Sequence, residues 1–227
     1  MSGMIIISIN AFSQRFELSI DSVIDLEIEK LKTRNLSSIG YTKLACVNYG
    51  ITATAYLFWN EDSKTFLQKF GDSEYDEKPV ERFQPIEIID STFFAFYNGN
   101  SDQLAHEEVE SFAYTSETNR QLYITRAHSC FRSFKVFAKG ESLDKYFDFF
   151  DLREFNEDQI DNSKLSKEWI KELQQKGLDV DTLYKNTPIR NINYELNNTL
   201  KIVKWDLLIS EFLERMESEN EFVEIKK

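Results

Sequence analysis

Residues 51–59 carry Ile51, Tyr56, Leu57, Phe58 and Trp59 in one short run, and residues 65–70 carry Phe66, Leu67 and Phe70 in another. Between them lies the polar stretch Asn60, Glu61, Asp62, Ser63 and Lys64. Two runs rich in β-branched and aromatic side chains, joined by a short polar turn, predict an antiparallel hairpin. A two-to-five-residue connection has no room for the crossover that a parallel pair needs. Residues 41–49 read as a further strand before the hairpin. Residues 121–126 and 129–138 read as two more, the second ended by Lys139 and Gly140.

Helical periodicity flanks these strands. Residues 19–32 place Ile20, Val23, Ile24, Ile28 and Leu31 on one stripe, with Asp21 or Ser22 as the expected cap. Residues 104–113 and 163–176 read as helices, the latter capped by Asn162 or Ser163 and stopped by Gly177. Residues 206–216 form a closing helix with Leu208, Ile209, Phe212, Leu213 and Met216 on its apolar side. Residues 199–205 suit a strand, the dipeptide Asn98 and Gly99 marks a turn, residues 71–82 read as a charged loop, and residues 217–227 are expected to fray. Strands at hairpin spacing with helices towards both ends imply an α+β fold, a mostly antiparallel sheet packed by helices including a C-terminal one.

The chain has 227 residues, 41% of them hydrophobic, with 19 Phe and 10 Tyr against 7 Gly and 3 Pro, which excludes a disordered or collagen-like polymer. Its net charge of −12 argues against nucleic acid as a partner, since phosphate binding needs a basic surface. No run approaches the ~18 apolar residues of a membrane-spanning helix.

At the N-terminus, Met4 to Ile7 is unbroken apolar sequence, and Ala11, Phe12 and Ser13 put small residues at the −3 and −1 positions before Gln14. This resembles the end of an export signal, although Met1, Ser2 and Gly3 supply none of the usual basic charge. The same run also fits a buried strand. We therefore read residues 1–13 as a signal-peptide remnant and residues 14–227 as a single α+β domain, placed in the periplasm or secreted, with the cytoplasm as the alternative. Cys46 and Cys130 admit one intramolecular disulfide, which an oxidising compartment would permit.

Candidate chemistry is sparse. His106 and Glu110 would face one side of a helix at i and i+4, and His128 lies two residues before Cys130. These four are the catalytic candidates, the first three as a metal-assisted hydrolase and the last pair as a nucleophile and base. A zincin helix needs a second His where Glu110 stands. Glycine-rich phosphate loops and a nucleophile elbow are absent from the sequence, so no cofactor is expected, and two Cys and two His leave almost no material for a resident metal site.

Residues 141–161 hold eight acidic residues against Lys145 and Arg153, half the net charge of the chain, interleaved with aromatic side chains. Asp144, Tyr146, Asp148, Phe149, Asp151 and Glu154 are the expected contacts for a basic protein surface. The expectation is thus a non-catalytic exported protein acting through binding. The alternatives are a cytosolic acidic inhibitor or immunity-type protein that masks a basic partner, and the metal-assisted hydrolase.

Overall fold

The computed structural model describes residues 19–34, 36–47, 51–73, 79–116, 118–126, 128–156, 167–176, 189–219 and 221–225. The expected signal remnant, the caps at Asn162 and Ser163, and Gly177 lie outside them.

Helix α1 (Ile20–Lys32) leads into strands β1 (Ser38–Val47), β2 (Ile51–Glu61) and β3 (Lys64–Ser73). The short strands β4 (Glu81–Arg82) and β5 (Ile86–Ile88) follow, then α2 (Thr92–His106) and the pair β6 (Ala113–Thr115) and β7 (Gln121–Tyr123). Strands β8 (Cys130–Ala138) and β9 (Glu141–Asp148) form a second hairpin, continued by a 3-10 turn at Phe149–Leu152. After β10 (Phe155–Asn156) come α3 (Lys167–Gln175), β11 (Ile189–Arg190), α4 (Tyr194–Thr199) and the C-terminal helix α5 (Lys201–Ser218). The fold is α+β: a seven-stranded antiparallel sheet in the order β4, β3, β2, β1, β8, β9, with β5 also paired to β3.

Both long hairpins close with two residues in the left-handed region. Asp62 and Ser63 (φ 49° and 65°) join Glu61 to Lys64, and Lys139 and Gly140 (φ 55° and 81°) join Ala138 to Glu141. Such turns match the right-handed twist of the strands they connect.

The sheet has a helix layer on each face. On one face α1 packs the stripe read from sequence, Ile20, Val23, Ile24, Ile28 and Leu31, against Ile39, Ala53, Ala55, Leu57, Trp59 and Phe70. On the other face α2 and α5 cover Tyr56, Phe58, Leu67, Phe134, Val136 and Leu143. Strand β2 is therefore buried on both sides, which explains its near-continuous apolar run. Trp205 anchors the second layer, fully buried and stacked on Phe134 at 4.5 Å and near Phe93 at 4.9 Å. Gly40 makes room for this layer: a Cβ there would sit 2.5 Å from the Phe93 ring.

Several expectations are corrected. Ser19, rather than Asp21 or Ser22, caps α1, its Oγ accepting the Ser22 N–H at 3.3 Å. The segment read as a charged loop at 71–82 gives β3 its last residues and contributes β4, which pairs with Phe70 and Gly71. Asn98 and Gly99 make no turn. They lie inside α2, where Gly99 faces open space and Phe93, Phe94, Tyr97 and Leu104 supply the burial that holds the helix. The helix expected over 104–113 stops at His106. Residues 199–205 are helical because Ile202, Val203, Trp205, Asp206 and Ile209 bury one side of α5 rather than alternate faces of a strand. Leu208, expected in that stripe, is exposed. The tail does not fray over its described residues: Glu224 bridges Phe83, and Val223 and Ile225 share backbone hydrogen bonds with Gln84 and Arg82. Among the described residues no helix is long and apolar enough to cross a membrane.

Candidate acidic cleft

Strand β9 is the strand that sequence reading saw only as acidic sequence. Leu143 and Phe147 turn into the core, while Asp144 and Tyr146 stay exposed. Beside it lies a cleft of about 530 Å3. One wall is β9 from Asp144 to Asp148, and the others come from Glu107, Glu108, Val109, Ser111, residues 124–126, Phe150 and Asp151. Five carboxylates line it (Glu107, Glu108, Asp144, Asp148 and Asp151) against two cations, Arg126 and Lys145.

Each wall is held by specific bonds. Glu107 ends α2 in extended geometry, and its Oε2 accepts the Lys201 and Ile202 N–H groups at 2.6 and 3.1 Å. A carboxylate there satisfies two orphan donors and the positive end of α5. That distant recruitment is why the helix cannot run on through residue 113. Lys145 Nζ donates to the Glu107 carbonyl at 2.8 Å, bracing the wall against β9. Asp148 caps the 3-10 turn, accepting the Phe150 N–H at 2.8 Å and the Ser129 hydroxyl. Asp151 Oδ1 accepts the Phe112 N–H at 2.7 Å.

The floor is fixed by two buried asparagines that sequence reasoning missed. Asn197 grips both backbone groups of Glu110, accepting its N–H at 2.9 Å and donating to its carbonyl at 2.7 Å, and donates to the Asp151 carbonyl at 2.9 Å. Asn191 accepts the Ala113 N–H at 3.2 Å and donates to the carbonyls of Asp151 and Arg153 at 2.9 and 3.2 Å. The Asn197 side chain is fully buried, its amide nitrogen committed to the Glu110 and Asp151 carbonyls.

Glu107, Asp148 and Asp151 each use one carboxylate oxygen on these bonds, leaving the second with no donor among the described residues. Burial pushes the Asp151 carboxyl above its ordinary value, the Phe112 N–H opposes this, and the neighbouring Asp148 charge adds to the rise. The cleft thus concentrates negative charge that an incoming cation would relieve.

The six expected partner contacts divide between the cleft and its border. Asp144, Tyr146, Asp148 and Asp151 line the cleft. Phe149 packs edge-on against Phe147 at 5.5 Å, partly buried, so it supports the wall rather than faces a partner. Glu154 sits outside the cleft and pairs with Arg190 at 3.3 Å.

The catalytic candidates do not line this cleft. His106 ends α2 with its Nδ1 donating to the Asp102 carbonyl at 2.7 Å, while Glu110 lies beyond the helix end, so their shared helical face does not form. His128 is an exposed residue just before β8. Cys130 is bonded to Cys46, directly opposite it across β1 and β8. A disulfide sulfur offers no thiolate, which removes the nucleophile reading for as long as the bond stands. Among the described residues, no three His, Cys, Asp or Glu side chains are grouped to hold a metal ion. No family model, curated protein or solved structure matches the chain.

Proposed function

We propose that the protein acts by binding, and that the cleft beside β9 receives a lysine- or arginine-bearing surface of a partner protein. One observation carries this reading: five carboxylates line a concave, aromatic-walled site, three of them with an oxygen that no described residue bonds. Such a surface steers basic partners by its field and gains contact area from Tyr146, which is 73% exposed. We further propose that it works in an exported, oxidising setting. The disulfide between Cys46 and Cys130 supports this, because thiols in a reducing cytosol stay unpaired.

The test is the affinity of a lysine-rich peptide at low and high salt, measured by calorimetry. Screening shortens from about 10 Å at 0.1 M to about 3 Å at 1 M salt, so binding should weaken at least tenfold. The double variant Glu108→Gln and Asp144→Asn, both exposed positions, should reproduce that loss at low salt with an unchanged melting temperature. Affinity that ignores both salt and the double variant would refute the reading.

A further inference from the structure

We infer that the partner segment binds in extended form, as an additional strand on the open edge of β9. This rests on the binding reading above and specifies its geometry.

The register fixes which way the backbone of β9 points. In the two-residue hairpin Ala138 and Glu141 are the closing hydrogen-bonded pair, and bonded pairs then recur at every second residue. Glu141, Leu143, Lys145 and Phe147 therefore turn their N–H and C=O groups towards β8. Ser142, Asp144 and Tyr146 turn theirs outward. The neighbouring ladder agrees: Val47 donates to the Ser129 carbonyl, which sets the β8 residues bonded to β1 as the odd-numbered ones and leaves the even-numbered ones for β9. Among the described residues no strand other than β8 pairs with β9, and none bonds the outward backbone groups of Ser142, Asp144 or Tyr146.

The other end of the sheet is treated differently. There the chain's own tail lies along residues 82–84, with Glu224 bridged to Phe83. Covering one edge and leaving the other open is how a sheet keeps a site for strand addition.

The cleft coincides with that open edge. Asp144, Tyr146 and Asp148 project from one face of β9 and Lys145 and Phe147 from the other, yet all five line the same cavity. The cavity must then run along the edge between the two faces. From Ser142 to Asp148 the edge is about 20 Å long, enough for six or seven residues of added strand. Charge selects the occupant. A second copy of β9 would bring its own Glu141, Asp144 and Asp148 against these carboxylates, whereas a strand with alternating Lys or Arg would place cations among them.

The probe is an acetylated octapeptide alternating lysine and valine, compared with the same peptide N-methylated at alternate residues to remove backbone donors on one edge. Hydrogen exchange of the wild-type protein is read residue by residue. With the plain peptide bound, the Ser142, Asp144 and Tyr146 amides should slow at least tenfold, and N-methylation should weaken binding at least tenfold. Tyr146→Pro deletes one outward donor without touching the bonds to β8, so it should bind at least tenfold more weakly than Tyr146→Ala. If the peptide binds in a salt-sensitive way but those amides exchange as in the free protein and N-methylation is harmless, strand addition is overturned and the binding function stands. If the peptide does not bind even at low salt, both fall.

Discussion

Replacing Arg132 by Met should destabilise the protein by about 3–5 kcal/mol near neutral pH, because it strands a buried carboxylate. Arg132 on β8 and Asp206 on α5 are 5% and 3% exposed, with Nε and Oδ1 2.5 Å apart. The guanidinium also donates to the Ser210 hydroxyl at 3.0 Å and lies 5.8 Å from the Phe149 ring centroid. Burial pushes the Asp206 carboxyl above its ordinary value, and Arg132 pulls it back. Met keeps the apolar stem of Arg132 but removes that pull, so Asp206 must ionise with no cation beside it, held only by the Ser210 hydroxyl, or take up a proton. The sign of the pH dependence follows. A carboxyl raised in the folded state contributes its stability on the acid side and loses it as pH rises through the raised value. The deficit of Arg132→Met should therefore shrink on acidification. Adding Asp206→Leu should restore most of the loss, since an apolar pair carries no desolvation penalty. Urea titrations give the free energies, and melting should fall by roughly 6–20 °C for the single variant in a chain of this size. A single variant within about 1 kcal/mol of the parent near pH 7, or a double variant as damaged as the single, would refute the reasoning.

The disulfide closes a segment of 84 residues, so the Cys46→Ala, Cys130→Ala protein should lose about 4–5 kcal/mol in chemical denaturation; a loss under about 1 kcal/mol would mean that the ladder alone fixes these strands. Gly40→Ala should cost about 1–3 kcal/mol, because Phe93 is stacked on Phe58 at 4.3 Å and cannot yield to the new methyl group. A neutral or stabilising outcome would show that this packing is softer than described. Burial raises the Tyr41, Tyr56 and Tyr97 phenols above their ordinary 10.0, helped at Tyr56 by donation to Glu217 at 2.5 Å. Their contribution is complete below about pH 10 and lost as pH rises beyond it, so phenolate absorbance from these three should appear together with unfolding. Stepwise ionisation of all ten tyrosines in a folded protein would contradict this.

The parts of the fold legible in sequence are those where local pattern and tertiary burial agree. The five-residue stripe of α1 and the hairpin of β2 and β3 are read from spacing alone, because one helix face and one sheet register satisfy them. The α+β class followed from that order of elements. The failures have a common origin in distant contacts. Nothing local to Glu107 tells that its carboxylate serves the N-terminus of α5, and so nothing local ends α2 at His106. Ile202, Val203 and Trp205 have strand-like side chains, yet the aromatic shell around Trp205 rewards a helical arrangement. In β9 the acids hid an alternation in which only Leu143 and Phe147 are fully buried. The acidic residues themselves were visible as the largest charge anomaly. Their convergence into a cleft was not, because residues 107–113 are held beside β9 by the distant Asn191 and Asn197 clamps and the Lys145 brace, and Ile124 follows by donating to the Phe112 carbonyl.

The most direct test of the account is amide chemical-shift mapping of the labelled protein during titration with the lysine–valine peptide at low salt. The account predicts that shifts concentrate in residues 107–111, 124–126 and 142–148, with the α1 face unmoved. Shifts spread evenly over the surface, or centred on α1, would contradict it.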